Sequence, residues 1–166
     1  NLLDCFLYKI DTSGNIIWTQ YYSTPVNESV KHVFETSDGG FFLSGFQNDS
    51  YGSNDIYAIK TDAAGNMQWD FYIGGIDNEY ADMAKETPEG DFIITGDTRS
   101  FGAGAYDIEI VKLNANGFLI WDKYFGDAFN NGCQGIYITA DNRYISYGET
   151  EISTFSPFDF YIEKID

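Results

Sequence analysis

Apolar and polar side chains alternate along most of this chain in short runs that end at glycine, asparagine or aspartate, the two-residue period of a strand with one buried face. Residues 55–60 (DIYAIK) alternate in this way and are rich in Ile and Tyr; DAAGN at 62–66 follows as a tight turn in which Gly65 is free to take a positive φ. Residues 67–73 predict a second strand, GGIDN a loop, residues 79–87 a third strand, Pro88-Glu89-Gly90 a turn, and residues 92–98 a fourth strand. No stretch holds an apolar 3.6-residue period long enough for a helix.

This succession recurs. DCFLYKIDTSGNIIW at 4–18 returns as DIYAIKTDAAGNMQW at 55–69 and as DIEIVKLNANGFLIW at 107–121, and DFYIEKID at 159–166 begins a fourth copy. The leading residues Asp4, Asp55, Asp107 and Asp159 are spaced by 51, 52 and 52. A second motif recurs with them: ETSDGGFFLSG at 35–45, ETPEGDFIITG at 86–96 and TADNRYISYG at 139–148. The units run 4–54, 55–106, 107–158 and, as a start only, 159–166. Four antiparallel strands in a unit of this length is the size of a β-propeller blade. The expected fold is therefore all-β, an arc of four-stranded antiparallel blades covering about three repeats of an incomplete ring.

Three columns of the repeat define its internal chemistry. Trp18, Trp69 and Trp121 each fall four residues after the turn glycines Gly14, Gly65 and Gly117. A part present in every unit is expected to pack one unit on the next rather than to form a unique sugar or cofactor platform. Gly45, Gly96 and Gly148 close the fourth run, where backbone approaches backbone. Lys9, Lys60, Lys112 and Lys164 follow the leading aspartates by five residues, and the expected partners are Asp11 and Asp62 or Glu28 and Glu79.

With these columns in view, the chain resembles the repeats of about 52 residues found in secreted and cell-surface bacterial propellers, and its Trp column resembles the tryptophan-docking arrangement of quinoprotein-like propellers. The resemblance covers nearly all of the sequence. It implies a blade order with the strand near Val30 innermost and the Trp strand outermost, and export from the cytoplasm, often by the type IX route. In that order the chain holds two strands of one blade, whole blades at about 28–73 and 79–125, and three strands of another. Thirteen strands do not close a ring of four-stranded blades. The expectation is an arc cut from a longer propeller, with two aromatic blade faces left open to self-association.

Composition narrows the partners. The 166 residues carry 26 Asp and Glu against 9 Lys and Arg, a formal charge of −17, which disfavours nucleic acid and anionic lipid because both modes need clustered cations. No apolar run reaches membrane-spanning length, and the N-terminus lacks the layout of a signal peptide. Asn1 in place of Met points to a processed or excised segment.

Candidate chemistry is sparse. Asp49, Asn54 and Asp55 surround one glycine-containing loop, and Asp97 and Asp107 bracket another; their oxygens suit Ca²⁺, although neither loop has the EF-hand spacing. Asx-stabilised loops are the simpler account. Cys5 and Cys133 occupy non-equivalent apolar columns and are expected as buried free thiols. His32 aligns with Met83 and Gly135, with no nucleophile beside it, and no two of the many acids stand out as a glycosidase pair. No catalytic residue and no organic cofactor is assigned. The expected function is a non-enzymatic, extracytoplasmic binding or scaffold module, its partner a protein or glycan surface or the remaining blades of the same propeller. Its loops at 23–27, 47–54, 98–106, 125–131 and 149–158 differ from unit to unit. The alternatives are a piece of a propeller hydrolase, lyase or quinone-dependent dehydrogenase, and a purely structural spacer.

Overall fold

The computed structural model describes residues 3–151 and, by backbone alone, residues 159–165. Every regular element among them is a strand: β1 (Cys5–Ile10), β2 (Ile16–Tyr22), β3 (Glu28–Glu35), β4 (Phe41–Asn48), β5 (Asn54–Thr61), β6 (Met67–Ile73), β7 (Glu79–Glu86), β8 (Phe92–Thr98), β9 (Asp107–Leu113), β10 (Leu119–Phe125), β11 (Asn131–Ile138), β12 (Tyr144–Thr150) and β13 (Asp159–Ile165). No helix among the described residues is long and apolar enough to cross a membrane.

The strands form four antiparallel sheets: β1-β2, β3-β4-β5-β6, β7-β8-β9-β10 and β11-β12-β13. Each four-stranded sheet straddles a sequence-unit boundary, taking its first hairpin from one unit and its second from the next. The hairpins turn where glycine permits a left-handed backbone. Gly14, Gly65 and Gly117 have φ between 79° and 84°, and at the β11–β12 turn Asn142 takes this conformation at φ 60°.

The second and third sheets each bury both faces, and the core is a series of layers between consecutive sheets. Cys5, Tyr22, Leu43, Tyr57 and Ile59 join the first sheet to the second. Phe42, Ile56, Ala58, Phe92, Ile94, Val111 and Leu113 join the second to the third. Ile93, Ile108, Ile110, Cys133 and Ile136 join the third to the fourth. At the centre Phe42 stacks on Phe92 with ring centroids 4.4 Å apart.

One regularity escapes the hydrophobic pattern. β3, β7 and β11 each shift register at the same place, between Val30 and His32, Ala81 and Met83, and Cys133 and Gly135. A bulge there leaves Lys31, Asp82 and Gln134 without a cross-strand partner and re-aims their side chains. Lys31 Nζ consequently reaches Asp82 Oδ1 of the next sheet at 3.5 Å and lies over the Tyr80 ring.

Candidate functional site

The connections at the two ends of the strands differ in kind. At one end are the short glycine or Asx turns within the hairpins. The other end carries the variable loops, tied into one continuous rim. Asn27 Nδ2 donates to Asn48 Oδ1 at 2.9 Å, the Asn54 amide nitrogen to Asn78 Oδ1 at 3.0 Å, and the Asp77 amide to Ser100 Oγ at 2.9 Å. The Asn131 amide continues the series to the Tyr106 carbonyl at 2.8 Å. The tips of this rim are apolar despite the acidity of the chain: Tyr51 and Ile76 are 94% and 95% exposed, and Phe101 and Phe129 are exposed on the loops that follow. Between the 23–27 and 47–54 loops opens a groove of about 410 Å³ lined by Thr24, Gln47, Asp49, Asp55 and Tyr72 among others.

Of the predicted calcium ligands, Asp49 and Asp55 line one groove, whereas Asp97 and Asp107 are set apart. Asp49 Oδ1 accepts the amides of Tyr51 and Ser53 inside its own turn, which holds its carboxyl below the usual range. Asn54 Nδ2 is spent on Asn78 and Tyr80. Asp97 accepts the Cys133 amide, whereas Asp107 accepts the Gly104 amide; with Asp97 opposite Ile108 and Thr98 opposite Asp107, the two aspartates leave the sheet on opposite faces. Among the described residues no three His, Cys, Asp or Glu side chains are placed to hold a metal ion.

The recurrent columns lie between sheets. Trp69 reaches from the second sheet to the third, where its Nε1 donates to the Ala115 carbonyl at 3.2 Å and its ring covers Gly117 so closely that a Cβ there would fall 2.7 Å from it. Trp18 covers Gly65 in the same manner, and Trp18, Trp69 and Trp121 meet Phe41, Phe92 and Tyr144 of the following sheet edge to face. Gly45, Gly96 and Gly148 each leave no room for a Cβ, which would collide with the carbonyl of Ser29, Tyr80 or Gly132.

The lysine pairing differs from the expected one. Asp11 and Asp62 are consumed by their own turns, accepting the amides of Ser13 and Asn15 and of Ala64 and Asn66. Glu79 accepts Gly75 N, Thr98 Oγ1 and Ser100 N, and Glu28 accepts Thr24. Lys60 instead meets Asp38 in the β3–β4 turn at 2.8 Å, and its Nζ also donates to the Thr61 carbonyl and to Gln68 Oε1. Lys112 meets Asp91 at 3.3 Å in the β7–β8 turn, and Lys9 lies over Phe41. The side chain of Lys164 lies outside the described residues. The hydrogen bond from Lys60, then that from Thr36, draws Asp38 down to about 2. Asp38 is half exposed, so solvent discounts the pair; Asp38→Asn is expected to lower stability by about 1 kcal/mol in thermal melts at neutral pH. That difference should persist above the ordinary carboxylate range and vanish as pH falls through about 2, where Asp38 itself is protonated.

The densest buried acidity lies between the second and third sheets. Asp55 Oδ1 and Glu79 Oε2 both crowd the space above Gly74. Burial, then the charges of Asp49 and Glu79, pushes Asp55 up to about 6. Glu109 is fully buried on β9 with no donor for either oxygen, next to Asp122, which accepts from Tyr124. Burial and then the charges of Asp122 and Glu79 hold Glu109 far above the usual glutamate range. The repeat shows what Glu109 replaces: Tyr57 stands at the same register position, opposite Gly45 as Glu109 is opposite Gly96, and donates its hydroxyl to Asp70 at 3.1 Å. Glu109 can make the equivalent bond to Asp122 only as the protonated acid. The column Phe6, Tyr57, Glu109, Tyr161 already singles out one acid among aromatics in the sequence.

His32 accepts the Ala84 amide on Nδ1 at 3.4 Å, and burial followed by the Lys85 charge lowers its pKa. Cys5 and Cys133 are buried free thiols in different layers; burial raises Cys5 to about 12, which removes it from nucleophilic chemistry near neutral pH. No known protein family matches the chain, and no curated protein matches it.

Proposed function

We propose that this chain is an arc of a β-propeller in an extracytoplasmic, secreted or cell-surface protein, and that it serves as a non-catalytic binding scaffold for a protein or glycan surface. The carrying observation is the asymmetry of its two ends. The hairpin turns repeat from unit to unit, whereas the opposite rim varies and presents Tyr51, Ile76, Phe101 and Phe129 to solvent. Exposed aromatics on loops held by a rigid sheet suit a sugar ring or an apolar protein patch, and the acid-lined groove on the same loop as Tyr51 favours a neutral or basic partner. The serial packing of like sheets through Trp18 and Trp69 supports the propeller reading.

Glycan-array binding and capture from the native cell surface should both be read with the wild type and with a Tyr51→Ala, Ile76→Ala double variant. The scaffold reading expects a defined ligand class whose signal falls at least tenfold in the variant, with thermal stability unchanged to within about 0.5 kcal/mol. A flat response in both assays contradicts binding and leaves a structural spacer. Bound quinone absorbance in protein from its source would instead place the chain in an enzyme.

A further inference from the structure

The first sheet has two strands where the second and third have four, and β1 pairs with β2 alone among the described residues. Its counterparts β5 and β9 are each paired on the other side as well, by β4 and β8. An unpaired strand edge is a template for another strand; this one has no proline, and its lysine and the shift between Lys9 and Ile10 recur at Lys60 and Thr61 of β5, which is paired on both sides. The face beside it is equally open. Phe6, Tyr8 and Ile10 are 52%, 48% and 60% exposed, whereas Tyr57, Ile59 and Thr61 at the same positions of β5 are between 0% and 2%, as are Glu109, Val111 and Leu113 of β9 at 0%. The turn glycine tells the same story: Gly65 and Gly117 each lie under a Trp ring, and nothing among the described residues comes within 4 Å of where a Cβ on Gly14 would sit.

We infer that the β1 edge and its aromatic face form a docking surface for one further repeat of this same class, a partner that offers a Trp-bearing strand followed by an antiparallel hairpin ending in glycine. The interface it would form already occurs twice in the chain, so its register is set. In β4 the run Phe41 to Gly45 lies against Thr61 to Tyr57, and in β8 the run Phe92 to Gly96 lies against Leu113 to Glu109. A partner strand on β1 therefore places its aromatic opposite Ile10 and its glycine opposite Phe6. Glycine is required because the partner's own first strand passes over it, as Ser29 and Tyr80 pass over Gly45 and Gly96. Main-chain bonds supply the affinity, while the glycine, the aromatic four residues before it and the Trp select the class. The inference rests on the repeat-scaffold reading only in taking like units to pack in series.

The test titrates the isotope-labelled full chain with a synthetic peptide of residues 67–98, which carries the β6, β7 and β8 sequence with Trp69, Phe92 and Gly96. Docking predicts slowed amide exchange at alternate residues of β1 and at the Gly14 turn, with β5 and β9 unchanged. Gly96→Val or Trp69→Ala in the peptide, or Phe6→Lys in the chain, should weaken binding at least tenfold. Absence of protection in β1 at saturating peptide overturns the inference, as does binding that is indifferent to Gly96→Val. The rim residues Tyr51 and Ile76 lie outside this surface, so their double variant should bind the peptide as the wild type does. Failure of the ligand assays and failure of this one are thereby told apart.

Discussion

Phe42→Ala should cost about 3 to 5 kcal/mol in urea unfolding, a large part of the stability of a domain this size. Phe42 is fully buried, and its ring is held on several sides: stacked on Phe92 at 4.4 Å and on Phe34 at 5.5 Å, and met by the Trp69 edge at 5.9 Å. Truncation removes the contact that crosses from the second sheet to the third, and aromatic neighbours fixed on separate strands cannot collapse into the space. Phe42→Leu retains part of the volume and should cost about half as much. Tyr8→Ala gives the contrast, because Tyr8 sits on the open face; a change within about 0.5 kcal/mol is expected there. A small loss for Phe42→Ala would mean that the layer between the second and third sheets does not carry the fold.

The second large effect is electrostatic and has an unusual sign. Glu109 is neutral in the folded chain well above the pH at which it ionises when unfolded, since burial and then Asp122, Glu79 and Asp55 oppose its charge. The acids that bear on it come from three strands, Asp55 on β5, Glu79 on β7 and Asp122 on β10, with the Tyr124 hydroxyl already committed to Asp122. The folded state thus holds a proton that the unfolded state releases, so stability is greatest below the ordinary glutamate value and declines as pH rises through neutrality. Asp55 and Asp97, each raised to about 6 chiefly by burial, add to the slope between about pH 4 and 6. The self-repulsion of a chain at −17 acts in the same direction. Asp38, held near 2, opposes it only at the acid extreme. Glu109→Gln keeps a donor for Asp122 and removes the titration. Its unfolding free energy should exceed that of the wild type at pH 8, by on the order of 2 kcal/mol, and converge with it near pH 4. Equal stability of the two proteins across that range would show that Glu109 is ionised and otherwise compensated.

The division between what the repeat reveals and what it hides is physical. Strand positions follow from local alternation and turn chemistry, so β6 and β8 run over residues 67–73 and 92–98 as the pattern predicts, and the four-stranded sheets begin at Glu28 and Glu79 as the strand count requires. Buried thiols at Cys5 and Cys133 follow from the columns they occupy. The lysine partners do not follow, because Asp11 and Asp62 lie nearest in sequence but spend their oxygens on turn amides, leaving Lys60 and Lys112 to cross to Asp38 and Asp91. Pairing between lysine and a distant turn depends on strand register, which no single strand encodes. The bulges at Lys31, Asp82 and Gln134 are hidden for a related reason: an extra residue in one strand shows only against its partner. Glu109 is the opposite case, legible as the one acid in an aromatic column once the units are aligned, and easily passed over in a chain with 26 acids.

Like sheets pack in series in this structure, and we infer that the open face of β1 can pack one more. Sedimentation velocity over a wide concentration range tests it most directly. The account predicts a weight-average mass that rises with concentration above the 18.7 kDa of one chain, and a return towards 18.7 kDa when Phe6→Lys places a charge on the open face of β1. A single boundary at 18.7 kDa for the wild type at every concentration would contradict it.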